Sequence, residues 1–152
     1  MRRLPLIEYQ FFTPKAPSEI SQAERDSIAH LMEQLTKQPC MVTDQDIWLT
    51  SRNSFLLVAR EGGTIVGMAL LCPVFKLAGI EGRIEEVIVD GQFQGRGIGR
   101  RLTEMLIERA RRGEYRRVEL TSNPSRVAAN ALYRRLGFTQ HQTNVYRLDL
   151  AE

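Results

Sequence analysis

The chain has 152 residues, of which 43% are hydrophobic and 26% are charged, so it is expected to fold as one domain over residues 1–152. Its net charge of +3 comes from scattered arginines, which permits nucleic-acid binding but does not indicate it. Cys40 and Cys72 have neither metal nor redox spacing, so we expect reduced, buried thiols and no bound metal.

The start of the chain, Arg2-Arg3-Leu4-Pro5-Leu6-Ile7-Glu8, is positively charged, but its apolar run ends at Glu8. That run is too short for the core of a signal sequence or for a membrane span. We therefore expect a cytoplasmic location and no membrane partner.

The first half of the chain predicts a strand, two helices and a hairpin. Ser21 and Glu24 have the spacing of a capping box, and apolar residues then recur at helical spacing until Pro39. Glu61-Gly62-Gly63 predicts the turn of the hairpin. The predicted ranges are a strand at 6–12, a helix from 21 to about 39, a short helix at 44–51, and hairpin strands at 55–60 and 64–74.

The second half predicts alternating strands and helices. Asn123 and Pro124 are typical of an N-cap and a first helical position, and Gly137 of a helix end. The predicted ranges are a glycine-bearing loop at 76–82, a strand at 83–89, a helix up to Gly113, a strand at 117–121, a helix up to 136, and strands at 138 and 145–150. Because a helix joins strands 83–89 and 117–121, they should be parallel and form a right-handed unit within a mixed α/β fold.

The most informative stretch, Gln94-Gly95-Arg96-Gly97-Ile98-Gly99-Arg100, lies between a predicted strand and a predicted helix. Three alternate glycines let a ligand approach the backbone, and a helix N-terminus presents unpaired N–H groups. The turn is suited to a pyrophosphate, and nearby arginines could add contacts. A glycine-rich connector without a ligand is the alternative. The spacing matches neither a P-loop nor a Rossmann turn.

The spacing Gln94-x-x-Gly97-x-Gly99 resembles the acetyl-CoA signature of the GNAT superfamily, Gln/Arg-x-x-Gly-x-Gly/Ala. Asn130-Ala131-Leu132-Tyr133-Arg134-Arg135-Leu136-Gly137-Phe138 looks like a second motif of that family, in the expected order. The resemblance covers roughly residues 55–150 and implies the family's acyl-CoA N-acyltransferase fold: a mostly antiparallel sheet with one splayed parallel strand pair, flanked by helices. The N-terminal third, which helps choose the acceptor in that family, matches only in outline.

The resemblance implies an N-acetyltransferase that moves acetyl from acetyl-CoA to a primary amine by direct attack in a ternary complex. Small-molecule amines are favoured over protein tails, and a homodimer is possible. The Val89 N–H is expected to stabilise the oxyanion. The residues implied in acetyl-CoA binding are Val87, Ile88, Val89, Gln94, Gly95, Arg96, Gly97, Ile98, Gly99, Arg100, Asn123, Asn130 and Tyr133; for Asn123 a helix-capping role is preferred.

The general base is expected on strand 83–89, because an alkylammonium with a pKa of about 10.4 must lose a proton. Glu85 and Glu86 are the candidates, and alternation should turn them to opposite sheet faces. Glu85 is preferred, since Ile84-Glu85-Glu86-Val87-Ile88-Val89 looks like a stretch of glucosamine-phosphate acetyltransferases whose catalytic glutamate falls there. Histone-type members place their base where this chain has Arg83. Alternatively, both glutamates are solvated or paired with an arginine.

Tyr133 falls at the position of the family's tyrosine and is the candidate acid that protonates the leaving thiolate. Its alternative role is packing in the core. Two further functions stay open: an acetyl-CoA-binding sensor or regulatory module without transfer, and a nucleic-acid-binding protein that uses its arginines. No nucleic-acid partner is expected.

Overall fold

Five strands in the order β1-β2-β3-β4-β5 form one mixed sheet, and helices flank it. The computed structural model describes residues 4–151, so the expectations about Arg2 and Arg3 lie outside the described residues. Its main elements are β1 (Ile7–Phe11), α1 (Gln22–Thr36), α2 (Asp44–Asn53), β2 (Phe55–Glu61), β3 (Thr64–Lys76), β4 (Gly79–Val89), α3 (Ile98–Arg112), β5 (Val118–Glu119) and α4 (Val127–Arg135). Strands β1 to β4 pair antiparallel and β4 pairs with β5 in parallel. The predicted mixed α/β class is thereby confirmed.

Both helices before the hairpin begin with a capping box. In α1, Ser21 accepts from the Glu24 N–H and Glu24 accepts from the Ser21 N–H, as the sequence predicts. Thr43 and Asp46 make the same reciprocal pair at the start of α2. These pairs satisfy N–H groups that a helix leaves without partners, so each helix start is fixed where the sequence places it.

The core lies on both faces of the sheet. On one face, Ile28, Leu31 and Ile47 from α1 and α2 pack with buried residues that include Met68 and Leu70 of β3. On the other, α3 buries its Ile98, Leu102 and Leu106 side, and it approaches β3 so closely that a Cβ on Gly67 would lie 3.3 Å from Ile98 Cγ2. The sheet therefore separates an α1/α2 face from an α3 face.

Strand β4 contains a β-bulge at Glu86. Leu70 pairs with Glu85 and Met68 pairs with Ile88, so one residue of β3 faces two residues of β4. Glu86 has φ of 52°, and the bulge bends the strand locally. Side chains of β4 therefore do not alternate strictly between the two faces of the sheet at Glu86.

Several predicted boundaries were wrong. The loop expected at 76–82 is mostly strand, because Phe75 pairs with Ile80 and Lys76 with Gly79 across a tight turn. The strand expected at 117–121 is only Val118–Glu119. Strands expected at 138 and 145–150 are not formed among the described residues, since β-prone side chains make a strand only where another strand supplies hydrogen bonds.

The chain divides into two compact units, one ending at Thr121 and the other beginning at Ser122. The second unit contains α4, and its residues after 138 are exposed and have no regular secondary structure. A single domain over residues 1–152 stays a prediction. Among residues 4–151, no helix has the length and apolar character needed to cross a membrane.

Candidate active site

The glycine-rich turn leads from β4 into α3 and leaves the start of that helix open. Gly97 is the N-cap of α3 with φ of 76°, a left-handed conformation that favours glycine. No side chain caps α3, and a Cβ on Gly95 or Gly97 would meet nothing within 4 Å. The backbone N–H groups of the first helical turn thus face a space that an anion can enter.

The arginines of the turn are already paired. Arg96 Nη1 lies 2.8 Å from Glu61 Oε1, and its guanidinium stacks 5.5 Å from the centroid of Phe93. Arg100 makes an ion pair with Glu104 at 2.9 Å. Gln94 donates to the Val89 carbonyl at 3.2 Å, which ties the turn to the end of β4. Of the predicted phosphate contacts, the α3 backbone is therefore better placed than Arg96.

The parallel pairing of β4 with β5 ends near the middle of β4. Their pairing is confined to Gly82 with Val118 and Arg83 with Glu119, whereas β4 continues to Val89. Residues 84–89, including Val87, Ile88 and Val89, thus extend beyond the parallel pairing. The parallel pair expected from the family resemblance is thus formed, and the part of β4 beyond it leads into the glycine turn.

Two cavities lie next to the bulge of β4. The larger, about 500 Å³, is open to solvent and is lined by Thr50, Asn53, Ser54, Cys72, Glu85 and Glu86, together with Leu49 and Leu70. The smaller, about 180 Å³, is called the apolar recess; its apolar lining includes Ile28, Met32, Val42, Ile47, Leu56 and Met68. Thr50 and Glu86 line both cavities.

The bulge brings Glu85 and Glu86 to the same cavity, although alternation predicted opposite faces. Their surroundings differ. Glu85 Oε1 accepts from Arg83 Nε at 2.9 Å, which is the arginine pairing left open as an alternative. Within residues 4–151, the Glu86 carboxylate has no hydrogen-bond or ion-pair partner. Glu85 therefore has a charged partner and Glu86 does not.

The recess also changes the acidity of Glu86. The Glu86 side chain lines both cavities and is exposed to solvent at its surface. Protein atoms around its carboxyl displace part of the hydration shell, and this loss of hydration raises the pKa of Glu86. The negative charge of Glu85 raises this pKa further. A carboxylate with a raised pKa is a stronger base than an ordinary glutamate, as proton abstraction from an amine requires.

The second unit carries the remaining predicted residues. Asn123 accepts from the Ser125 N–H at 2.9 Å, a local turn, and the predicted N-cap role is wrong because α4 begins only after Arg126. Asn130 Nδ2 donates to the carbonyls of Asn123 and Arg126. Tyr133 is buried and contacts Phe138 edge to face, and burial raises the pKa of its hydroxyl.

Three residues that sequence reasoning set aside or missed connect α1 to the glycine turn. Gln34 Oε1 accepts from the Gly91 N–H at 3.0 Å, and Gln34 Nε2 donates to Asp90 Oδ2 at 3.2 Å. His30 Nε2 lies 3.1 Å from the same Asp90 oxygen. The spacing of His30 and Gln34 places them on one helix face, but their partner Asp90 lies more than fifty residues away in the chain, so the sequence does not indicate the contact.

Comparison with known proteins agrees with this arrangement. Residues 23–138 match the model of the Acetyltransferase (GNAT) family. The chain is 40% identical over 90 residues to the N-alpha-acetyltransferase RimI of Mycobacterium tuberculosis, an alignment that covers 59% of this chain and 55% of that protein. The chain thus spans about half the length of this relative.

Solved structures have the same fold. An acetyltransferase of Trypanosoma brucei superposes with a TM-score of 0.74 at 29% identity and covers 95% of this chain and 99% of its own. Glucosamine-6-phosphate N-acetyltransferase from Arabidopsis thaliana superposes with a TM-score of 0.76 at 20% identity, over 94% and 98% of the two chains.

Proposed function

Since the chain belongs to the acetyltransferase (GNAT) family, we propose that it transfers acetyl from acetyl-CoA to a primary amine, with Glu86 as the general base. The observation that carries the proposal is the position of Glu86: without an arginine partner, between two cavities, with its pKa raised. Glu85, preferred from the sequence, is occupied by Arg83. We therefore propose Glu86, rather than Glu85, as the general base.

The residues around the glycine turn fit the pyrophosphate of a coenzyme A thioester. The open α3 N-terminus supplies N–H donors, and the partial positive charge of the helix end favours an anion. The empty space beside Gly95 and Gly97 leaves room for phosphate oxygens. Bound there, the thioester supplies an activated acetyl group.

The proton steps follow from the two titrating side chains. The Glu86 carboxylate takes a proton from the acceptor ammonium, and the neutral nitrogen then forms a bond to the acetyl carbonyl carbon. The carbon–sulfur bond breaks and the leaving thiolate takes a proton, while the acetylated nitrogen gives up its second proton, which restores the side chain that protonated the thiolate. We assign the thiolate's proton to Tyr133, because its motif position matches the family and a tyrosine hydroxyl is protonated at neutral pH. Products are the acetamide and coenzyme A.

The α-amino group of a peptide joins small-molecule amines as a candidate acceptor. The name of the Mycobacterium tuberculosis relative refers to N-alpha acetylation, and the aligned part of this chain is 40% identical to it. The Glu86 site requires only a protonated primary amine, which both kinds of acceptor provide.

The test is acetyl-CoA-dependent thiol release by the wild type, Glu86→Gln and Tyr133→Phe, with a panel of small amines and peptides. Removing a general base or acid should lower kcat/KM by roughly 10²–10⁴-fold while acetyl-CoA binding, measured by calorimetry, is retained. Glu8→Gln on β1 and Tyr146→Phe, both exposed positions, are the matched controls and should keep full activity. Tight acetyl-CoA binding without release from any acceptor would instead favour the sensor function.

A further inference from the structure

A histidine of α1 faces two polar groups at the point where the chain leaves β4. His30 Nε2 lies 2.8 Å from Gln34 Nε2 and 3.1 Å from Asp90 Oδ2. Gln34 Nε2 also donates to Asp90 Oδ2 at 3.2 Å, and Gln34 Oε1 accepts from the Gly91 N–H at 3.0 Å. One ring nitrogen of His30 thus faces an amide nitrogen and a carboxylate at the same time.

The orientation of the Gln34 amide is fixed by its two other neighbours. The Gly91 N–H needs an acceptor, which in an amide side chain is the oxygen, and the Asp90 carboxylate needs a donor, which is the nitrogen. Oε1 therefore faces Gly91, and Nε2 faces Asp90. An amide nitrogen carries two hydrogens, so the second N–H of Gln34 is left for His30.

The neutral form of His30 is compatible with all of these contacts. A neutral imidazole has one nitrogen without a proton, and Nε2 in that state accepts the second N–H of Gln34. Gln34 then keeps its oxygen on the Gly91 N–H. Within residues 4–151, that oxygen is the acceptor of the Gly91 N–H, so the first amide after β4 is held to α1 by this side chain.

The protonated form of His30 is not compatible with them. An imidazolium carries a proton on both nitrogens, so Nε2 donates to Asp90 Oδ2 and forms an ion pair. The Gln34 N–H at 2.8 Å then faces another donor. Gln34 must either move away or turn its amide over, and in both cases Oε1 leaves the Gly91 N–H. Protonation therefore exchanges a hydrogen bond to the turn for an ion pair with Asp90.

Asp90 is the charged group that faces His30 from outside α1. Within residues 4–151, it is the carboxylate that lies within ion-pair distance of a His30 ring nitrogen. The strands packed against α1 are β3, whose one charged residue is Lys76 at its far end, and β4, whose Glu86 lines the recess beside α1. On α1 itself, the charged residues one turn away from His30 are Asp26 and Glu33.

We propose that His30 is a positioning residue that makes acetyl-CoA binding depend on pH: neutral His30 lets Gln34 hold the glycine turn to α1, and protonated His30 releases it. This inference rests on the proposed function, because it takes the turn as the acetyl-CoA site. Histidine is the side chain whose charge ordinarily changes between pH 5 and 8. The affinity for acetyl-CoA should therefore fall as the pH decreases through this range.

The experiment measures the Kd of acetyl-CoA by calorimetry at about pH 8 and about pH 5.5. Phosphates of the ligand also titrate near pH 6, so the readout is the rise in Kd of the wild type relative to that of His30→Ala. We expect this rise to be about threefold or more larger in the wild type. His30→Ala should keep the high-pH affinity, since Gln34 stays on Gly91 at both pH values.

His141→Ala is the matched control, because His141 is exposed and belongs to the second unit. It should show the same rise in Kd as the wild type. Gln34→Leu should bind acetyl-CoA weakly at both pH values, because it lacks the bond that protonation of His30 breaks. An equal rise in the wild type and His30→Ala, or a rise that is lost in His141→Ala, would overturn the inference.

Nuclear magnetic resonance tests the release of the turn without a ligand. If acetyl-CoA binds at neither pH, the proposed function fails, and the backbone amide signal of Gly91 decides whether the switch exists. In the wild type this signal should shift with the same midpoint as the His30 ring, and in His30→Ala it should not shift over the same range. A Gly91 signal that does not follow the His30 ring would overturn the inference even where acetyl-CoA binds and is used.

Discussion

The carboxylates of Glu85 and Glu86 are neighbours in the chain but are held in different environments. Glu85 is balanced by Arg83 at 2.9 Å, whereas Glu86 has only the like charge of Glu85 beside it and two cavities around it. The sequence identified both candidates, and the family resemblance favoured Glu85. The difference in their environments depends on the bulge, whose left-handed residue is a non-glycine that no sequence rule marks.

The pH dependence of activity should report this arrangement. Loss of hydration and the charge of Glu85 both raise the pKa of Glu86, so its proton-accepting form appears at a higher pH than for an ordinary glutamate. In Glu85→Gln the neighbouring negative charge is gone and Arg83 is released. The pKa of Glu86 then falls, and the acidic limb of the kcat/KM profile moves to lower pH. A limb that stays in place would argue against Glu86 as the base.

At the scale of elements, the strand-turn-helix from β4 to α3 was predicted well because its signals are local. Glycine spacing marked the turn, and helical periodicity marked the buried side of α3 at Ile98, Leu102 and Leu106. The start of β4 at Gly79 was missed, since its glycines suggest a loop and only pairing with β3 makes it a strand. Neighbouring residues in the sequence thus predict where helices begin, whereas the start of a strand depends on the strand with which it pairs.

The N-cap of α3 gives a test of the turn. Gly97→Ala puts a side chain on a residue with φ of 76°, which should cost about 1–2 kcal/mol of unfolding free energy in a urea titration. Gly63→Ala in the β2–β3 turn, with φ of 86° and open space around it, should cost a similar amount. Only Gly97→Ala should also weaken acetyl-CoA binding severalfold in calorimetry. Equal acetyl-CoA affinity in the two variants would contradict a role for this helix start.

At the scale of the whole molecule, helix α1 and the glycine turn are joined by hydrogen bonds. Gln34 of α1 makes one hydrogen bond to Gly91 and one to Asp90, and His30 lies beside the same aspartate. The α1 helix also lines the apolar recess through Ile28 and Met32. Sequence patterns could not reveal these hydrogen bonds, because the residues that they join are more than fifty positions apart and belong to no local motif.

Loss of this connection should affect cosubstrate binding from a distance. Gln34→Leu removes both hydrogen bonds, which are worth about 0.5–1.5 kcal/mol each, so the turn is held less firmly. We expect the KM for acetyl-CoA to rise about fivefold or more in steady-state kinetics. Gln38→Leu, at an exposed position just after α1, is the control and should leave this KM unchanged. Identical KM values in the two variants would show that the turn needs no support from α1.

The bulge in β4 has a consequence for how such a site arises. If Glu86 were deleted, Val87 would fall opposite Ala69, and the pairs of Glu85 with Leu70 and of Ile88 with Met68 would keep their places. Every other side chain of the strand would stay on its present face. The proposed base is therefore a supernumerary residue, so an ancestral sheet could have gained or lost it by a single codon insertion or deletion without rebuilding its core.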